Sequence, residues 1–270
     1  MGLVVFTDLD GTLLDHQAYD YTPARPALDA LAQRGVPLVL TSSKTRAEMI
    51  VLWHELGLDH PFIAENGGGV YAPFGHALAQ GSEWSKAGDG WLVRRLGMPI
   101  EEVRRRFLVF KDRFGAKGFG DLTDREVAGF TGLSLEKAAL AGKREFNEPL
   151  ILPEPEKNEA GFVRAAQEQG LSVTRGGRFF HLLGGGDKGR AVSLVSSLYR
   201  EKDKNLKTMA LGDAPNDLAM FKAVDHPVLV ARPDLSHAPL ELPNLKRENL
   251  PGPEGFNHAV NTFLTEKQDA

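Results

Sequence analysis

Cysteine is absent from the 270 residues. A disulfide framework, a thiolate metal site and a cysteine nucleophile are excluded together. Also missing is any apolar run approaching the length of a membrane span, and the first residues predict a strand instead of a charged leader followed by an apolar stretch. No long basic stripe exists either: the formal net charge is −4. The cationic triplet Arg104-Arg105-Arg106 follows Glu101 and Glu102 and reads as a solvated helix face. Nucleic acid is therefore not an expected partner. No two histidines stand four apart as on a zinc helix, and no Gly-x-Ser-x-Gly elbow marks a serine hydrolase. With 42% hydrophobic and 25% charged residues, the chain reads as an ordinary cytosolic globular protein of one large or two smaller domains.

What is present begins at once. Leu3-Val4-Val5-Phe6-Thr7-Asp8-Leu9-Asp10-Gly11-Thr12 predicts a buried strand that emerges at a polar edge. If strand geometry persists to Asp10, both carboxylates lie on one side, because side chains alternate with period two. Two acids that close repel, and one keeps its proton unless a divalent cation relieves the conflict. Gly11 permits a turn whose backbone N–H groups cradle phosphate oxygens.

The strand-and-polar-tip pattern recurs. Pro23 to Arg34 predicts a helix capped at Thr22, with Ala27, Leu28, Leu31 and Ala32 on one face. Val36 to Leu40 predicts a strand ending in Thr41-Ser42-Ser43-Lys44, and a helix carrying Met49, Ile50, Trp53 and Leu56 follows. Pro61 to Ala64 predicts a third strand, running into Glu65-Asn66-Gly67. Three such units predict a parallel sheet with crossover helices, where ligands bind at the carboxyl ends of strands. Around Gln80 to Gly90 the alternation breaks into a flexible stretch, expected as a hinge. Helices are expected over Pro99 to Arg113, Thr123 to Phe130, Ser134 to Ala141 and Glu156 to Gln169. Strands are expected over Arg144 to Leu152, Leu171 to Arg175 and Arg178 to Leu183.

At Gly184-Gly185-Gly186-Asp187-Lys188-Gly189 the chain turns back. This is no P-loop, since Gly189 stands where a Ser or Thr is required. A helix from Gly189 to Tyr199 and a strand from Lys207 to Leu211 follow, the strand ending in Gly212-Asp213-Ala214-Pro215-Asn216-Asp217. A strand over Val228 to Ala231 and a helix over Phe256 to Leu264 close the chain. The expected fold is α/β, a Rossmann-like parallel-sheet core (1–82 and 186–270) with an inserted α+β cap domain (83–185).

Assembled, the tips offer Asp8, Asp10, Ser42, Glu65, Asn66, Lys188, Asp213 and Asp217. Oxygen ligands suit Mg²⁺, while a lysine, hydroxyls and N–H groups suit phosphate oxygens. The set points to phosphoryl transfer through a carboxylate nucleophile.

In their order, Asp8-x-Asp10-Gly11-Thr12, Ser42, Lys188 and Gly212-Asp213-x-x-Asn216-Asp217 resemble the four motifs of the haloacid dehalogenase-like (HAD) superfamily. The insertion resembles the C2-type cap of its sugar-phosphate phosphatases. More narrowly, Thr41-Ser42-Ser43-Lys44-Thr45, Glu65-Asn66-Gly67-Gly68 and Arg144-Glu145-Phe146-x-Glu148-Pro149 resemble the mannosyl-3-phosphoglycerate phosphatase family, whose product mannosylglycerate is a compatible solute. That resemblance implies a cytoplasmic phosphoric monoester hydrolase acting on a small phosphorylated glycoside through an aspartyl phosphate. Glucosyl-3-phosphoglycerate and sucrose phosphate are alternative substrates, and a phosphohexomutase is an alternative reaction.

Carried over, the resemblance makes Asp8 the nucleophile and Asp10 the acid and base. It places Mg²⁺ on the Asp8 carboxylate, the Asp10 carbonyl and Asp213, with Asp217 in support. Phosphate falls to Lys188, Ser42, Ser43 and the backbone at Leu9, with Thr41 the alternative to Ser42. Glu65, Asn66, Gly67, Arg144, Arg164, Arg178, His181 and Asn216 are candidates for the rest of the substrate.

Overall fold

The computed structural model describes residues 2–16, 18–176 and 179–266. Strand β1 (Leu3–Thr7) is buried along its whole length. Val5 faces one apolar cluster while Val4 and Phe6 face another, which is why its sequence is an unbroken apolar run. Helix α1 (Arg25–Gln33) buries Ala27, Leu28 and Leu31. Thr22 does not cap it, because its hydroxyl donates to Asp20 Oδ1 at 2.6 Å and a short 3-10 turn leads in instead. Strand β2 (Leu38–Leu40) pairs parallel with β1. Helix α2 (Arg46–Glu55) starts at a capping box formed by Thr45 and Glu48.

Strand β3 (Phe62–Ala64) meets the β2 edge through the parallel bridge Thr41–Ile63. It then turns back on β4 (Gly69–Pro73) in antiparallel register. The reversal has a local cause: Glu65, Asn66 and Gly67 all have positive φ (52°, 55° and 90°). Strands β5 (Ser85–Gly88) and β6 (Trp91–Arg95) continue that sheet in the order β3-β4-β6-β5. The stretch expected as a hinge, Gly81 to Gly90, therefore contains β5 and the turn of a hairpin.

A different body follows. Helix α3 (Ile100–Phe107), strand β7 (Lys117–Gly118), helices α4 (Asp124–Thr131) and α5 (Leu135–Ala141), strand β8 (Asn147–Ile151), helix α6 (Pro155–Glu168) and strands β9 (Ser172–Gly176) and β10 (Phe179–Leu183) come in turn. Their antiparallel sheet has the order β7-β8-β10-β9. Its apolar side packs on α3 and α6 through Val103, Phe107, Phe162 and Ala166.

The chain then returns. Helix α7 (Lys188–Arg200), strand β11 (Lys207–Gly212), helix α8 (Leu218–Phe221), strands β12 (His226–Ala231) and β13 (Lys246–Pro251) and helix α9 (Gly252–Glu266) complete the first body. The parallel sheet is β13-β12-β11-β1-β2. Its β1 lies one strand in from the β2 edge, flanked by β2 and β11. Among the described residues no helix is long and apolar enough to cross a membrane.

Candidate active site

Chemistry gathers at the end of β1. The Asp8 N–H donates to Leu211 O at 2.9 Å, which anchors the residue between strands. Lys188, the first residue of α7, reaches in with a fully buried side chain. Its Nζ donates to Asp8 Oδ1 and Asp217 Oδ1, both at 2.6 Å. The second Asp217 oxygen accepts the N–H groups of Asp213 and Ala214 at 3.2 and 3.1 Å. Gly212 is required beside it, since a Cβ there would lie 2.5 Å from Asp217 Cγ.

Carboxylate oxygens of Asp8, Asp213 and Asp217 lie within 4.8 Å of one another. Burial pushes Asp8 up to about 8, although the Lys188 charge pulls it down, and Asp217 and Asp213 add to the rise. Burial raises Asp217 as well. For Lys188 burial opposes the charge, yet Asp217 and Asp8 hold it above the ordinary lysine range. One lysine does not balance three buried acids. A hard divalent cation fits such an oxygen-only set.

After Asp8 the chain folds back, with Gly11 at φ 87° and its N–H donating to Leu14 O at 2.7 Å. Asp10 Oδ2 accepts Lys44 Nζ at 2.9 Å. Its Oδ1 is buried and has no partner among the described residues, so one oxygen stays available for a proton or a reacting atom. His16 Nε2 stands 3.4 Å from Asp213 Oδ2.

A cleft of about 720 Å³ opens over these groups, walled on the far side by the inserted body. Asp8, Asp10, Ser43, Asp213 and Asn216 line it from the parallel-sheet body, and Arg144 and His181 from the other. Lys188 and Asp217 lie just behind Asp8. Leu9 is buried at the turn, and Ser42 is buried with its Oγ accepting Lys44 N–H at 3.2 Å. Thr41, the alternative, is more committed to the interior, its hydroxyl donating to Val39 O at 3.4 Å. Burial, with Arg144 and Lys188 nearby, pushes His181 down to about 3, so its imidazole is neutral.

Other candidates stand elsewhere. Arg164 is exposed on α6 and lines no part of the cleft, because the inward face of that helix is taken by Phe162, Ala165 and Ala166. Glu65, Asn66 and Gly67 are buried beneath the cleft surface, Glu65 with its carboxylate occupied by backbone N–H groups. Arg178 lies outside the described residues. The cleft also contains groups that the sequence did not single out as site residues: His16, Tyr19, Lys44, Glu48 and Arg232. Lys44 carried a signal, being the cation two positions past Ser42. Tyr19, with its ring under Lys44 Nζ at 4.9 Å and Lys137 Nζ at 5.7 Å, carried none.

Known proteins resemble this chain in sequence and fold. A family model for haloacid dehalogenase-like hydrolases matches residues 5–80 and 168–234. A glucosyl-3-phosphoglycerate/mannosyl-3-phosphoglycerate phosphatase of Methanococcoides burtonii is 40% identical over 264 residues, 95% of each chain. One of the same name from Persephonella marina is 38% identical over 269 residues, 98% of each. Among solved structures, a Thermoplasma acidophilum protein superposes with a TM-score of 0.69 at 19% identity, covering 98% of this chain and 99% of that one. A sugar phosphatase of HAD subclass IIB superposes at 0.64 with 17% identity, covering 96% and 98%.

Proposed function

Because the chain belongs to the haloacid dehalogenase-like hydrolases and is a phosphatase among them, we propose that it hydrolyses 2-(mannosyl)-3-phosphoglycerate to mannosylglycerate and phosphate, a step of compatible-solute synthesis in the cytoplasm. The observation that carries the chemistry is the buried Asp8 carboxylate clamped by Lys188, with the half-free Asp10 two residues on. Identity near 40% over nearly the whole chain supports the substrate.

In the first step an Asp8 oxygen forms a bond to phosphorus while the bond from phosphorus to the glycerate oxygen breaks, and Asp10 gives that oxygen its proton. In the second, Asp10 takes a proton from water as the water oxygen attacks phosphorus and the Asp8–phosphorus bond breaks. Lys188, Ser42, Ser43 and the backbone N–H at Leu9 hold phosphate oxygens and their growing charge. Asp8, the Asp10 carbonyl and Asp213, with Asp217 behind, would hold Mg²⁺, whose positive charge would favour the ionised form of Asp8. Arg144 and the neutral His181 face the remainder of the substrate.

Phosphate release in Mg²⁺ buffer tests this across mannosyl- and glucosyl-3-phosphoglycerate, sucrose 6-phosphate, trehalose 6-phosphate and mannose 6-phosphate. Strong preference for the mannosyl compound is expected. The glucosyl compound is the second reading, favoured by the double name of both relatives. Release from none of them overturns the substrate. Asp8→Asn is expected to keep ligand binding and lose turnover, and unchanged turnover ends the covalent mechanism.

A further inference from the structure

Phe146 belongs by sequence to the inserted body, yet its ring is buried in the apolar cluster of the other body, together with Phe62, Tyr71 and Trp91. Glycines from separate passes of the chain close around it. A Cβ on Gly68 would lie 2.4 Å from Phe146 Cβ, one on Gly69 2.8 Å from Cε2, and one on Gly97 3.2 Å from Cβ. Larger residues would evict the ring. This contact is a fitted socket.

One side chain grips the backbone on both sides of that ring. Glu65 Oε1 accepts the N–H of Glu145 at 2.8 Å, while Oε2 accepts those of Phe146 and Asn147 at 2.9 and 2.8 Å. Glu65 is fully buried, and its φ of 52° is a left-handed conformation that persists only where its surroundings demand it. With both oxygens engaged it has little left for a sugar hydroxyl. Arg46 adds a pin, its Nε donating to Glu145 Oε1 at 2.7 Å.

The gripped segment begins immediately after Arg144. That side chain runs back to the tip of β2, where Nη1 donates to Ser43 O at 2.7 Å, and Nε donates to Ala141 O at 2.7 Å. Arg144 lines the cleft, and among the described residues its other terminal nitrogen has only Glu48 Oε2 as an ion-pair partner, at 3.9 Å. That nitrogen is the guanidinium edge left for an anion.

We propose that Glu65 is a positioning residue: by holding the backbone at 145–147 it fixes Arg144 beside the phosphate-binding tip, ready for a substrate carboxylate. The assignment rests on the reading of a phosphoglycerate glycoside as substrate. It separates the reacting end, held by Asp8 and Lys188, from a recognition end whose arginine is tied to the same body as the nucleophile. Arg144 then stays in register with the phosphate whatever the rest of the inserted body does.

The experiment compares two substrates in Glu65→Gln, whose amide nitrogen meets at least one of the three N–H donors as a donor itself. With mannosyl-3-phosphoglycerate, KM rises about tenfold or more and kcat changes less than about threefold, as for a lost contact to a non-reacting group. With p-nitrophenyl phosphate, which has no carboxylate, kcat/KM changes less than about twofold. Adding Glu65→Gln to Arg144→Ala costs nothing further on the glycoside, the non-additivity of two residues acting through one contact. Equal losses on both substrates, or full additivity, overturn the assignment and leave Glu65 a purely structural residue. If Glu65→Gln does not fold, Glu65→Asp, one methylene short of the N–H groups, is read by the same ratio. Wild-type protein that cleaves p-nitrophenyl phosphate but no phosphoglycerate glycoside overturns the substrate reading and this assignment with it. Wild-type glycoside kinetics in Glu65→Gln overturn the assignment alone.

Discussion

His181 makes the stability of this protein fall in acid by an amount that can be worked out in advance. Its ring is buried on β10 with Nδ1 3.4 Å from Asn147 Oδ1. Burial above all, then the charges of Arg144 and Lys188, lowers its folded-state value to about 3. In the unfolded chain a histidine titrates near 6.5. Between those values the unfolded state binds more protons than the folded one, so stability rises with pH through this window. The contribution is complete above about pH 6.5 and is lost progressively as pH falls towards 3. Integrated from about pH 7.5 to about pH 5, the loss is roughly 2 kcal/mol. Urea unfolding of wild type and His181→Gln at those two pH values isolates it, because every other titration is common to both proteins. Wild type is expected to lose about 2 kcal/mol more than the variant on acidification. Equal losses would show that the imidazole is already accessible to protons in the folded state.

Other perturbations are as direct. Lys188→Met leaves Asp8 and Asp217 buried without their cation, so a loss of about 3–5 kcal/mol is expected together with loss of phosphate release; unchanged melting would contradict the buried clamp. Chelation is expected to stop turnover and Mg²⁺ to restore it. Since burial raises Asp8 and Asp217 in the folded state, the metal-free protein binds extra protons and loses stability as pH rises towards 8, and Mg²⁺ flattens that slope in thermal melts. Gly68→Ala drives a methyl into Phe146 and is expected to cost about 3 kcal/mol or more. Gly57→Ala, at φ 65° with open space around it, is expected to cost about 1 kcal/mol from backbone strain alone, and urea midpoints separate the two.

How much of this was readable in one dimension depended on the range of the interactions. The tips of β1, β2 and β11 announce themselves because each is a buried apolar run ending abruptly in acids or hydroxyls, a pattern complete within a dozen residues. β13 is silent: Lys246–Pro251 is polar and exposed, and only backbone pairing to β12 makes it a strand. Glycine at Gly69 similarly hides β4. The inserted body's helices are legible by spacing, but which arginine faces inward is not. Arg164 and Arg144 look alike in sequence, and only the neighbours they acquire distinguish them. Glu65 is the sharpest case. Its three partners lie 80 to 82 residues away, so its sequence neighbours show a carboxylate at a polar tip, the same signal that marks Asp8. Burial and donors decide the difference. At Asp8 the carboxylate meets a lysine and two other acids at the floor of a cleft, and it retains chemistry. At Glu65 the donors are main-chain N–H groups that do not titrate, and the charge is spent on geometry. The same pairing carries the antiparallel sheet of the first body as far as Arg95, and we place the division between the bodies at Leu96 to Met98 and Gly184 to Gly186. There Leu96 and Gly97 both donate to Gly68 O, and Met98 donates to Gly184 O at 2.6 Å. The two crossings of the chain between bodies are thus bonded to each other at Met98 and Gly184, and the first of them to Gly68 beside the Phe146 socket.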